Sequence, residues 1–386
     1  MRHAFALFLT AAVAMPATAS EPQEVPAPLE FEESETASLP AISPRWVLSE
    51  YHWAGGATRI FDGDTGNMLG QISISQLANL TPDPNGRYFY VAETIWTKGT
   101  RGTRQDLLTI RDARTLNVVR EVALPGRLLV GNRRFTLGVS GDGAYAFAYN
   151  MDPASSIAVV DLARQRLLTT VEVPGCSLSA GFGPSASISL CSDGTATLVS
   201  VGAGKKPAVT PSAVFFAADT DPVFDNFAVN SVAGEAVFLT YSGKVVSATR
   251  EDGIKLGEPW SVQEAAGYAA GTTEPLVVNW YPGGRQPLAY SKAADRIYVL
   301  MHKGEFWSQK QPGEELWVFQ ASTRKLLKRA LVPSEIISVE VSQDAEPLLY
   351  VASEASIHVW DALTLEKKRE IEDANVVMLS VPAMAR

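Results

Sequence analysis

Residues able to do chemistry are sparse in this chain of 386. Histidine occurs four times, as His3, His52, His302 and His358. No two of them form an HExxH pair, and the two cysteines, Cys176 and Cys191, lack zinc-ligand spacing. They are also too far apart for a thioredoxin-like redox site, which needs only two intervening residues. DGDTGN from Asp62 loosely resembles a calcium loop, but it lacks the full ligand series and its closing glutamate, and a hairpin turn explains it better. There is no GxSxG elbow. There is no phosphate loop of the GxxxxGK[ST] form and no GxGxxG. GAGKK near Gly202 reads as a turn with two charges. The expectation is therefore no metal site and no catalytic residue in this chain, as suits a scaffold or docking platform.

The first residues read as an address. Met1-Arg2-His3 precedes an apolar, uncharged run over 4–15, and Pro16-Ala17-Thr18-Ala19 follows. A basic start, a short apolar run and an Ala-x-Ala site make a secretory signal peptide, residues 1–19. The run is too short to span a bilayer. No later segment approaches that length, so the expectation is a soluble periplasmic protein without membrane contact. In such a compartment an even cysteine pair suggests a disulfide. Cys176 and Cys191 stand at neighbouring strand ends, in VPGCS and SLCSDG, where a hairpin would bring them together. A staple closing that loop would contribute about 3 kcal/mol in the chain-entropy account.

Charge is unevenly spread. The net value is −9, and Glu21, Glu24, Glu30, Glu32, Glu33 and Glu35 all precede Arg45. Residues 20–42 thus read as an acidic, proline-rich, flexible arm. It is either a solubilising tail or a segment that orders against a partner. No basic stripe appears, which argues against nucleic acid.

The elements that must position any site are strands. Short β-branched and aromatic runs alternate with Gly, Asn, Asp and Pro clusters, the all-β signature. A strand–turn–strand pattern recurs from Ala57, Asp106, Ser156, Glu315 and Ser356, with weaker copies near Thr195 and Lys244. A turn followed by an apolar strand precedes several of these, from Pro84, Gly141, Ala233, Ala293 and Asp344. A unit of four strands at a period near 40 to 50 residues is what a propeller blade requires. Stacked in a ring, such blades bury both faces and leave only short edges. The reading is one seven-bladed β-propeller of four-stranded antiparallel blades over residues 43–386. Asp62, Asp112, Asp161 and Asp361 fall at strand ends, where the carboxylate bonds backbone N–H groups of the turn, so they read as turn residues.

An insertion over 257–286 lengthens one repeat. Such insertions lie on one face and often meet ligands or partners. It carries Trp260 and Trp280, which either anchor the loop on the propeller or contribute to an interface, where tryptophan is enriched.

Several stretches resemble the heavy-subunit family of methylamine dehydrogenase and aromatic amine dehydrogenase. They are LVGNRRFTLGVSGDGAYAFAY from Leu129, PASSIAVVDL from Pro153, the cysteine pair, DPVF from Asp221, YSGKV from Tyr241, NWYPGGRQPLAYSKAADRIYVLMH from Asn279, ELWVF from Glu315 and VSQDAEPLLYVAS from Val341. The resemblance implies a seven-bladed propeller paired with a light subunit in an α2β2 heterotetramer. It implies tryptophan tryptophylquinone and the catalytic base on that light subunit, with none bound here. It implies oxidation of a primary amine to aldehyde and ammonia, and electron transfer to a copper protein, a cupredoxin of the amicyanin or azurin kind. One position carries over. The family places an aromatic residue after the first inner strand, lining the substrate channel, and here Trp53 takes that place with His52 before it; the alternative is a rim tryptophan packed on a neighbouring blade. Some stretches favour the methylamine branch and others the aromatic branch. The alternative is a non-enzymatic periplasmic propeller that scaffolds another complex. A self-sufficient propeller enzyme ranks below both, because the chain is poor in histidine.

Overall fold

A computed structural model describes residues 38–51, 56–75, 77–99, 101–126, 129, 133–151, 153–202, 204 and 206–385. Residues 1–19, expected to be a signal peptide, most of the expected acidic arm, His52 and Trp53 lie outside the described residues.

Seven antiparallel sheets follow one another around a ring. The first runs outward from Asn79–Pro82 through Tyr88–Lys98 and Arg101–Asp112 to Val118–Ala123. Leu137–Val139, Cys176–Gly181, Ala228–Asn230, Leu288–Ser291 and Ser338–Val341 open blades 2 to 6 at the axis. Blade 7 is composite. Trp46–Tyr51, Ala57–Asp62 and Met68–Ser73 come from the start of the described chain, while its inner strand, Met378–Ser380, comes from the end. Leu48 lies opposite Ser380 and Glu50 opposite Met378, so this pairing closes the ring.

Period-two alternation explains why blades stack. In Tyr88–Lys98, Phe89 and Val91 enter the apolar cluster shared with blade 7, while Tyr90 and Ala92 enter the one shared with blade 2. Among the described residues there is one such cluster at each of the seven blade contacts. Packing reaches back to Leu39 and Ile42, ahead of residue 43, where the sequence reading begins the propeller. Both are apolar, and Leu39 N–H also donates to the Arg114 carbonyl at 2.8 Å.

The hairpins fall where the repeats predict them, and the aspartates do the turn work assigned to them. Asp112 Oδ1 accepts from the N–H groups of Arg114 at 3.0 Å and Thr115 at 2.9 Å. Asp62 and Asp361 repeat the arrangement, and Asp161 accepts from the Arg164 N–H at 2.8 Å. Cys176 and Cys191 face each other across the first two strands of blade 3 and form a disulfide. It sits within the cluster between blades 2 and 3. Replacing both cysteines (Cys176→Ser, Cys191→Ser) is expected to lower stability by about 3 kcal/mol, read as a lower urea midpoint. An unchanged midpoint would show that the interface holds without the bond. No helix of the described chain is long and apolar enough to cross a membrane.

Candidate functional site at the end where the inner strands begin

Two structures rise above the ring at one end. In blade 1 the inner strand stops opposite Ala92 and the outer strand opposite Leu107, so beyond the bonds of Ser75 to Thr94 and Leu124 to Asp106 the hairpin over 93–106 has no flanking strand among the described residues. In blade 5, Arg296–Gly304 outruns the inner strand and pairs instead with Asn279–Pro282 of the insertion. The inner edge of blade 5 is therefore interrupted by the GGRQP turn. Gly284 adopts φ +110 there, and an added Cβ would meet the Ile337 carbonyl at 2.5 Å, so only glycine fits.

That turn delivers Gln286 to the axis. Gln286 is fully buried; its Nε2 donates to Glu340 Oε2 at 2.9 Å and its Oε1 accepts from Leu379 N–H at 3.1 Å. Arg134, from the approach to blade 2, pairs with the same Glu340 oxygen across the channel. Burial pushes the Glu340 carboxyl above its ordinary value, and Arg134 opposes the shift. Nearby, Glu50 accepts from Asn79 Nδ2 and Ser380 Oγ, each at 3.2 Å. Five blades thus contribute to a polar plug in the channel, and a small cavity of about 80 Å³ beside it touches Glu50 and Arg134.

Above the plug lies a cavity of about 590 Å³. Phe224, Tyr241, Ile337, Val377 and Met378 give it apolar wall. Arg133 pairs with Asp225 at its rim, and Arg285 with Glu354 at 2.6 Å. The Asp225 side chain stays 40% exposed, yet the atoms packed around it hold its carboxyl above the usual value against the pull of Arg133. Burial likewise raises the Tyr241 phenol. The rings of Phe224 and Trp307 flank Tyr241 at 4.6 and 5.9 Å. This arrangement can pack and orient an apolar group. Strand Trp46–Tyr51 ends at the same face, since the Glu50 carbonyl accepts from Val377 N–H.

His302 and Ser308 make a pairing that the sequence did not suggest. His302 Nε2 lies 2.6 Å from Ser308 Oγ. The serine hydroxyl, however, donates to the Glu305 carbonyl, which leaves the imidazole as donor. Burial lowers the His302 pKa, and its Nδ1 has no partner among the described residues. A nucleophile needs a base that takes its proton, and here the bond pins the 304–312 loop instead. Among the described residues, no group of three or more His, Cys, Asp or Glu could hold a metal.

Both insertion tryptophans are half-buried against blade 5. Trp260 packs edge-on against Phe319 at 5.2 Å, and Trp280 lies 5.5 Å from Trp317. The Arg329 guanidinium sits over Trp280, Trp317 and Tyr268 at 5.1, 4.7 and 5.3 Å, while Glu315 grips it with both oxygens. Gln263 adds bonds at 2.8 Å to the Ser242 and Trp280 carbonyls. The anchoring role of Trp260 and Trp280 thus has a physical basis in these contacts.

A closed ring of seven sheets with a plugged channel and a walled, cavity-bearing end defines the class: a seven-bladed β-propeller. Solved structures share the fold. The β-propeller domain of Swd1 from Myceliophteria thermophila matches with TM-score 0.53 at 11% identity, over 82% of this chain and 92% of that one. A dihydro-heme d1 dehydrogenase, NirN, matches with TM-score 0.51 at 16% identity, over 89% and 76%. Sequence is more specific: the family model for methylamine dehydrogenase heavy chain matches residues 45–379, and the chain belongs to that family. The methylamine dehydrogenase heavy chain of Paracoccus versutus is 30% identical over 81% of this chain and 72% of its own length. That of Methylobacillus flagellatus is 28% identical over 87% and 83%.

Proposed function

We propose that this chain is the heavy, non-catalytic subunit of a periplasmic, tryptophan tryptophylquinone-dependent amine dehydrogenase. Its reaction is oxidation of a primary amine, methylamine or an aralkylamine, to aldehyde and ammonia. The observation that carries the reading is the family match over 45–379, which spans all seven blades. The quinone belongs to a separate light subunit, where it supplies the electron sink; two copies of each subunit assemble, and a cupredoxin takes the electrons onward. A cofactor carries the hard chemistry while protein supplies access and orientation. This chain's share is then the wall of the amine path. Support comes from the cavity at the inner-strand end, whose wall is partly apolar, and from strand Trp46–Tyr51, which ends at the same face.

The test is to purify the tagged chain from its host's periplasm and record subunit masses and the visible spectrum. Methylamine or phenylethylamine is then added. A co-purifying small subunit whose quinone absorbance bleaches with amine is the expected result, and the amine that bleaches it names the branch. A lone, colourless chain indifferent to both amines would overturn the reading.

A further inference from the structure

We propose that the overhanging hairpin of blade 1, residues 93–106, docks an acidic electron-acceptor protein. The identity of that partner as the acceptor rests on the dehydrogenase reading above. On a chain of net charge −9, this hairpin carries a concentrated positive tip: Lys98, Arg101 and Arg104. Lys98 and Arg101 stand opposite each other at the turn, both exposed and without an ion-pair partner among the described residues. Arg104 lies over the exposed Trp96 ring at 5.9 Å and bonds Asp106 at 2.9 Å. Below the tip the hairpin is pre-organised. Thr94 Oγ1 donates to Asp106 at 2.6 Å, Thr109 Oγ1 donates to Glu93 at 2.7 Å, and Thr94 N–H donates to Ser75 Oγ at 3.1 Å. An isolated two-stranded hairpin is marginal in water, so this bracing at its base supports an element that overhangs its own blade.

A cationic tip with an aromatic beside it suits a carboxylate surface. Complementary charge raises association rate and fixes orientation more than it adds affinity, as a diffusing electron carrier requires. The hairpin rises at the end that also holds the 590 Å³ cavity, so a protein held there sits beside the proposed amine path. Nucleic acid and anionic lipid fit less well, because an extended polyanion needs a basic stripe, and here the hairpin's cations are confined to its tip.

Lysine and arginine on a bare strand edge also guard against edge-to-edge pairing. Charge of either sign serves that purpose, whereas docking requires positive charge, so charge reversal separates the two roles. The purified complex, wild type and K98E/R101E, is titrated by fluorescence anisotropy with a labelled copper protein of net negative charge, at salt of about 0.01 and 0.15 M. Expected are salt-sensitive binding to wild type, roughly ten-fold weaker binding to K98E/R101E at low salt, and an intermediate value for K98Q/R101Q. Amine oxidation coupled to a small neutral dye should be unchanged in both variants. Equal affinity for wild type and K98E/R101E, or binding to phosphatidylglycerol vesicles in place of the protein, overturns the proposal. If dye-coupled oxidation is absent from wild type as well, the dehydrogenase reading fails while the titration still decides the docking.

Discussion

Replacing Arg134 by methionine lowers the stability of the propeller by about 3 to 5 kcal/mol near neutral pH, the range for removing one partner of a buried pair. Glu340 is only 4% exposed and depends on that guanidinium and on Gln286. Its folded pKa lies above the ordinary carboxylate value because of burial. The group therefore favours the folded state most below its unfolded pKa, and that contribution is lost as pH rises through the folded value. Without Arg134 the folded value climbs further. The deficit of the variant should shrink towards acid, where a proton neutralises the stranded carboxylate, and widen above neutrality. Glu340→Gln added to Arg134→Met should recover much of the loss by removing the unpaired charge. Urea unfolding of the three proteins at acid and neutral pH reads all of this. A loss of equal size at both pH values would show that Arg134 acts by packing alone.

A second large effect is expected at Trp317, fully buried beneath the insertion. Truncation to alanine should cost about 3 to 5 kcal/mol. The ring stacks on Tyr268 at 5.7 Å, meets Trp280 and Phe319, and donates through Nε1 to Glu315 at 2.7 Å. Glu315 in turn holds Arg329, so one substitution loosens the whole mooring of residues 262–282. Hydrogen exchange should show that segment losing protection more than the distant blades 2 and 3. Trp317→Phe, which keeps a ring but loses the donor, should do so less. Uniform loss of protection around the ring would mean that Trp317 supports the blade rather than the insertion.

The blades were legible because each repeats a local pattern. Apolar alternation, an aspartate and a turn all lie within about twenty residues, and local signals of that kind survive in sequence. The disulfide was legible for the same reason, since its partners are 15 residues apart. The channel plug was not. Arg134 and Glu340 are 206 residues apart, and only ring closure brings them together. The signal that could have found them is a glutamate inside an otherwise apolar strand, as in SVEV at 338–341. The overhang of blade 1 was missed because a strand pattern gives no hint of where its neighbours stop. The insertion was visible as extra length, but not as the device that splits an inner strand and carries Gln286 inward.

The composite seventh blade sets a condition on how the protein is made. Three of its strands precede the other six blades in the chain, and the fourth, Met378–Ser380, becomes available only after them. Until then Trp46–Tyr51 presents an open edge of backbone donors and acceptors, and unpaired strand edges invite aggregation during folding. Ring closure therefore has a deadline: a chain arrested or clipped before residue 378 holds six complete blades and one sheet still searching for its inner strand.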